Sequence, residues 1–250
     1  MMFKGIDVSH HNGKINWSKV KKAGIDFAII RGGYGIANID KCAEYNIENA
    51  LANNIDVGIY WFSYAGDVKT AMQEAEKCYN FIKKWNGKIK YPIYFDWEYD
   101  SYNYNLKKGI KCGKEIVSAM ADAFCNTIEN YGYYAGIYTN IDYYNNFFND
   151  SVKKKYGLWV AQWSIKCKIE NFDIWQYGAE QNLIDSKYID GISGIVDKNI
   201  TYKNFPFIME TTGLNHIMKK KFDKMDIDKN GVVDSYDALK ILEKVANSDD

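Results

Sequence analysis

The chain carries no excess charge of either sign, since 32 lysines and arginines balance 32 aspartates and glutamates over 250 residues. Without a basic field to neutralise phosphates, no nucleic-acid partner is expected, and an acidic membrane surface finds nothing to attract. No apolar run is long enough to span a bilayer. The opening Met1-Met2-Phe3-Lys4-Gly5-Ile6-Asp7 lacks the apolar core and small-residue cleavage site of a signal peptide, so synthesis in the cytoplasm is expected. Cysteine is sparse. Cys42, Cys78, Cys112, Cys125 and Cys167 are odd in number, widely spaced and without a CxxC pair, which points to free thiols instead of a disulfide framework or a metal site. The glycines of Gly32-Gly33-Tyr34-Gly35 are not followed by a lysine-serine or lysine-threonine pair, so a phosphate-binding loop is disfavoured and a tight turn preferred. His10-His11 has no third ligand at suitable spacing, and a loop pair touching backbone or ligand is expected in place of a metal centre.

What is abundant is apolar and aromatic. Hydrophobic residues make up 47% of the chain, and the 21 tyrosines and 7 tryptophans exceed the needs of a core, leaving flat aromatic surface suited to sugar rings. Tyr91-Pro92-Ile93-Tyr94-Phe95-Asp96-Trp97-Glu98 ends a buried-strand pattern in two acids. A strand sends residues i and i+2 to the same face, so Asp96 and Glu98 project side by side and suppress each other's ionisation. One protonated acid beside one carboxylate is what glycoside hydrolysis asks for. A solvated strand end is the bland alternative.

Strand patterns recur through the chain at Phe3–Ser9, Ile25–Arg31, Ile55–Tyr64, Tyr91–Asp96, Tyr133–Asn140, Gly157–Trp163, Phe172–Tyr177 and Ile192–Asn199. Helical patterns separate the earlier ones, over 17–23, 40–53, 68–85 and 107–131, and the later strands follow too closely for full helices. The fold class expected is α/β, an irregular closed barrel of about eight strands. Chemistry in such barrels sits where strands end, so Asp7, Arg31, Tyr60, Asp96, Glu98, Tyr138, Gln162, Gln176 and Asp197 are expected to converge on one mouth.

The ordered set Gly5-Ile6-Asp7-Val8-Ser9, Gly58-Ile59-Tyr60, Pro92-Ile93-Tyr94-Phe95-Asp96-Trp97-Glu98, Leu158-Trp159-Val160-Ala161-Gln162-Trp163, Ile174-Trp175-Gln176-Tyr177 and Ile192-Ser193-Gly194-Ile195-Val196-Asp197 resembles the glycoside hydrolase family 25 lysozymes. The resemblance covers residues 1–205. It implies a TIM-like (β/α)5β3 barrel that cleaves the β-1,4 bond between N-acetylmuramic acid and N-acetylglucosamine in peptidoglycan, with no cofactor for catalysis. Carried over, Glu98 is the general acid and then the base. Asp96 orients the substrate's own acetamido group, a covalent bond to a carboxylate being the competing scheme, and Asp7 and Asp197 bind sugar and tune the charge of the pair. Tyr60, Tyr138, Gln162, Trp175 and Gln176 are candidate substrate-binding residues. Arg31 is a further candidate, as a counter-charge or as a strand-end residue. Ile195 departs from the small polar residue usual in the family, which weakens the detailed role of Asp197.

Beyond a connection at 206–215, residues 216–250 read as a small helix-loop-helix module. Asp226, Asp228, Asn230, Asp234 and Asp237 put oxygen donors at positions 1, 3, 5, 9 and 12 of an EF-hand loop, with Gly231 at position 6 and the carbonyl of Val232 at position 7. Calcium is therefore expected there. Aspartate at position 12 resembles half of a dockerin repeat, and the partner expected through this module is a second copy or another protein. Together these features point to a peptidoglycan hydrolase of phage-endolysin type. The alternative is an inactive carbohydrate-binding barrel assembled through the calcium module.

Overall fold

The structure, a computed structural model, describes residues 1–178, 185–220, 226–231 and 236–240. Among these residues the strands are β1 (Phe3–Val8), β2 (Phe27–Tyr34), β3 (Asn38–Ile39), β4 (Asp56–Phe62), β5 (Ile93–Asp96), β6 (Ala135–Asn140), β7 (Gly157–Ala161), β8 (Ile174–Gly178) and β9 (Asp197–Thr201). Neighbours run β1-β9-β8-β7-β6-β5-β4-β2, and pairing of β1 with β2 closes the ring, leaving β3 as a short flap on β2. All barrel pairs are parallel except those made by β9, which runs antiparallel to β8 and β1. Helices α1 (Trp17–Lys22), α2 (Ala43–Ala52), α3 (Val68–Ile82), α4 (Tyr99–Lys107), α5 (Lys114–Asn130), α6 (Ile141–Phe147) and α7 (Asp150–Lys155) follow the first five barrel strands, and among the described residues none follows β7 or β8. The (β/α)5β3 expectation holds.

Local chemistry sets the helix starts. Asn16, Asp67, Asn140 and Asn149 each accept a backbone N–H of the first turn of α1, α3, α6 and α7 at 2.8 to 3.2 Å. The apolar stripe Val117, Met120, Ala121, Phe124 and Ile128 of α5 is fully buried at helical spacing against the barrel and α3. This helix is shorter than the 107–131 expected, because Gly109 takes a left-handed backbone (φ 76°) and Gly113 caps the start. Residues 99–107 form their own short helix, which the sequence pattern did not reveal.

Strands buried on both faces explain why alternation is weak in the sequence: β2 is covered by helices outside and filled by side chains inside. Inside, Phe27, Ile29, Tyr94, Trp159 and Ile174 form one cluster. The Phe27 ring occupies the space a Cβ on Gly5 would need, and Tyr94 does the same beside Gly136.

The connection expected at 206–215 is a structural element instead. Helix α8 (Phe205–Thr212) begins at Asn204, whose side chain accepts from Phe207 N at 3.1 Å, carries Pro206 in its first turn and ends at left-handed Gly213. Phe205 and Met209 enter the inner cluster with Tyr91 and Tyr94 and so seal the base of the barrel. Asn215 locks the plug: its Nδ2 donates to the carbonyls of Ile89 (3.1 Å) and Tyr91 (2.9 Å), and its Oδ1 accepts from Tyr134 N (2.8 Å). Phe205 and Met209 are buried and Ile208 and Leu214 pack against the same cluster, so the segment expected as a connection contributes to the core.

Candidate active site

With the base sealed, the other end of the barrel opens into a cleft of about 250 Å³ at the carboxyl ends of the parallel strands. Asp7, Tyr60, Phe62, Asp96, Glu98, Tyr138, Trp159, Trp163, Gln176 and Asp197 line it. Asp96 is the last residue of β5. Glu98 follows with extended backbone (φ −147°, ψ −160°), so the strand parity continues and both acids face the cleft, while Trp97 between them points into the outer core. Glu98 is also the N-cap of α4, and its backbone N donates to Ser101 Oγ at 3.2 Å, which fixes the residue where the strand turns into helix.

Asp7 is held from two further strands. Gln176 Nε2 (2.9 Å) and Asn199 Nδ2 (2.7 Å) both donate to its Oδ2. Trp159 Nε1 in turn donates to Asn199 Oδ1 at 2.7 Å, and Tyr138 OH to Gln176 Oε1 at 3.3 Å. Trp159 stands between Tyr60 and Tyr138, with ring centroids 5.8 and 4.3 Å away, and makes an aromatic floor under the acids. Asp197, first residue of β9, faces Asp7 across the antiparallel pair that closes the ring.

Burial dominates the charge state of all four acids. It pushes Glu98 up to about 7, with Asp100 and Asp7 adding negative charge. Burial, then Asp7 and Glu98, raises Asp197 to about 8. Asp7 rises to about 6, because burial outweighs the bonds from Asn199 and Gln176. Asp96 is lifted well above the carboxylate range by burial and by the charges of Glu98 and Asp7, with the Arg31 guanidinium opposing. Its Oδ1 is buried with no hydrogen-bond partner among the described residues, an arrangement that costs free energy unless a ligand group completes it.

Three of the substrate-binding candidates lie outside the cleft lining. Arg31 is turned to the buried Asp40, donating to its Oδ2 from Nε (2.9 Å) and through the second nitrogen (2.8 Å), and the His10 ring joins the same carboxylate at 2.9 Å. It reaches the site through its charge. Gln162 accepts Lys168 N on its side chain (2.9 Å) and Trp175 Nε1 on its carbonyl (2.8 Å), so it stitches the loop after β7. Trp175 packs outward with Phe172 and Tyr177. Period 2 separates the last two from the lining residues: Trp159 and Trp163 share one parity and Gln162 the other, as Gln176 and Trp175 do. The same rule, applied from Tyr60 and from Asp197, reaches Phe62 and Asn199, which the sequence reading missed along with Trp159 and Trp163.

An acid raised to about 7, beside a buried carboxyl with an open oxygen in an aromatic-walled cleft, defines the class: this is the equipment of a barrel glycosidase. The sequence profile of Glycosyl hydrolases family 25 matches residues 6–186, and the chain belongs to that family. It is 24% identical over 196 residues to the autolytic lysozyme of Clostridium acetobutylicum, covering 78% of this chain and 54% of that protein. Lysozyme M1 of Streptomyces globisporus is 26% identical over 208 residues, covering 78% of this chain and 66% of its own length. The modular autolysin LytC of Streptococcus pneumoniae, solved with a synthetic peptidoglycan ligand, superposes with a TM-score of 0.68 at 28% identity over 80% of this chain and 47% of its own. The chain thus spans about half to two thirds of the length of these relatives.

Proposed function

We propose that the protein is a peptidoglycan muramidase that acts at the bacterial cell wall and cleaves the β-1,4 bond from N-acetylmuramic acid to N-acetylglucosamine. The observation that carries this reading is the Asp96–Glu98 pair: a carboxyl raised to about 7 next to a buried carboxyl whose Oδ1 has no partner among the described residues. The lysozyme names of the relatives and the peptidoglycan ligand of LytC support the substrate.

In the reaction Glu98 gives its proton to the glycosidic oxygen as the bond to the anomeric carbon breaks. The acetamido N–H of the muramic acid fills the open Oδ1 of Asp96, and its carbonyl oxygen bonds to the anomeric carbon, giving an oxazolinium ion. Asp96 bears negative charge beside that cation, which the substrate N–H and Arg31 favour against the cost of burial. Water then attacks the anomeric carbon, its proton passes to the Glu98 carboxylate, and the ring opens. One water is consumed, and configuration is retained. Asp7, oriented by Gln176 and Asn199, and Asp197 hold sugar hydroxyls, and the charge of Asp7 helps to keep the proton of Glu98 in place.

Mass spectrometry of fragments from purified peptidoglycan tests the reading. New reducing ends on N-acetylmuramic acid, lost in Glu98→Gln, are expected. Intact glycan that remains bound to the wild type would overturn it in favour of an inactive carbohydrate-binding barrel.

For the C-terminal segment we propose a calcium loop. Carboxylate oxygens of Asp226, Asp228 and Asp237 lie within 4.8 Å of one another, and oxygen donors of this kind suit calcium. Asp226 and Asp237 are buried, and they accept the backbone N–H groups of Asn230 and Gly231 and of Ile227 and Asp228 respectively. Val232 and Asp234, the other expected ligands with Asn230, lie outside the described residues. Calorimetric titration with calcium alone is expected to show one site that Asp226→Asn weakens. Pairing of two copies through this module predicts a mass by light scattering that falls on chelation.

A further inference from the structure

We propose that a second groove, beside the catalytic cleft, is a distal glycan subsite that takes one N-acetylhexosamine of the strand being cut. The inference rests on the muramidase reading and names a part of the chain that reading does not use. The groove, about 410 Å³, lies between the flap after β2 and helix α4, and Tyr64, Tyr104, Ile36 and Ile110 supply its apolar surface.

Continuity with the cleft comes first. Phe62 lines the cleft, Tyr64 lines the groove, and their rings are 5.1 Å apart. Tyr104 continues the run at 4.6 Å from Tyr64. A chain of aromatic faces therefore leads out of the cleft along one side, the surface a row of pyranose rings would follow.

The platform is also built, in the sense that buried polar groups are dedicated to it. Glu74 of α3 is fully buried and accepts the backbone N–H of Tyr64 at 2.9 Å and the hydroxyl of Ser63 at 2.5 Å. Asn105 of α4, equally buried, donates from Nδ2 to the carbonyls of Tyr64 (3.3 Å) and Ala65 (3.0 Å). Both backbone groups of Tyr64 are thus clamped, so the loop needs little ordering when a sugar arrives. Burial pushes the Glu74 carboxyl up to about 7, with the bonds from Ser63 and Tyr64 opposing. Around the rim, Ile36, Tyr104 and Ile110 stay 52%, 39% and 39% exposed, apolar surface that packing within the chain leaves uncovered.

The test compares peptidoglycan glycans of four and eight sugars. Tyr104→Ala is expected to lower the ratio of kcat/KM on the octasaccharide to that on the tetrasaccharide by roughly fivefold, the scale of one lost aromatic contact, with the change in KM. Tyr202→Ala, an exposed aromatic beyond β9 at the sealed end, is expected to leave the ratio unchanged. An unchanged ratio in Tyr104→Ala, or an equal loss on both substrates, would overturn the subsite. Binding of the octasaccharide to Glu98→Gln with and without Tyr104→Ala, by calorimetry, gives a readout that needs no turnover. If the wild type cuts neither glycan, the muramidase reading fails, and this binding comparison still decides the groove: an unaltered Kd rejects it.

Discussion

Gln176 on β8 donates from Nε2 to Oδ2 of Asp7 on β1 at 2.9 Å, a bond between residues 169 positions apart that exists only because the barrel closes. With the parallel bond from Asn199 it lowers a carboxyl that burial alone would raise further. Asn199→Leu, which removes one donor and also the partner of Trp159 Nε1, is expected to raise the Asp7 pKa by about one unit, the size of one hydrogen bond to a charge. An NMR titration of the Asp7 carboxyl is expected to show the shift, and an unchanged or lower value would contradict the role of the Asn199 bond.

The alkaline limb of the kcat/KM profile belongs to Glu98. Activity requires its proton, so kcat/KM is expected to fall tenfold per pH unit above about 7. Asp100 is one of the charges that hold this value up, and Asp100→Asn stabilises the ionised form of Glu98. The limb is therefore expected at lower pH in Asp100→Asn, and a shift to higher pH would contradict the assignment.

Removing the acid itself has the larger effect. Glu98→Gln is expected to reduce kcat on the order of a thousandfold at pH 6, within the usual range for a general acid. Asp96→Asn is expected to lose a similar factor, and a thiazoline mimic of the oxazolinium ion is expected to bind the wild type and fail to bind this variant. Accumulation of a covalent glycosyl-enzyme in rapid-quench mass spectra would favour the carboxylate scheme instead.

The four cleft carboxyls with raised pKa values, and Glu74 with them, also tie stability to pH. Between the unfolded value near 4 and the folded values of about 6 to 8, the folded protein binds more protons than the unfolded chain. Stability from these groups is present below pH 4 and is lost as pH rises through about 8, so the slope is negative over that window. Melting temperature is expected to fall from pH 5 to pH 8, and Glu98→Gln, which cannot ionise, is expected to melt higher than the wild type at pH 8 while inactive.

At the sealed end, Asn215→Ala leaves the N–H of Tyr134 and the carbonyls of Ile89 and Tyr91 without their partner. A loss of about 2 to 4 kcal/mol in denaturant titration is expected, with kcat on residual folded protein unchanged. A change below about 0.5 kcal/mol would mean that 206–215 is a connection only.

What the sequence by itself determined lies within a few residues of itself. The order of the barrel strands, the earlier helices between them, and the shared face of Asp96 and Glu98 follow from backbone periodicity, which needs no knowledge of the rest of the chain. The same rule, followed strictly, separates Gln176 from Trp175 and reaches Phe62 from Tyr60. Only the tertiary structure decided which distant groups meet. Asp7 finds Gln176 and Asn199 because β9 runs antiparallel between β8 and β1, Arg31 is drawn to Asp40 before it can reach a sugar, and α8 with Asn215 fills the base. Those contacts depend on the register of a closed ring, a property of all eight barrel strands together, and no local pattern of side chains encodes it.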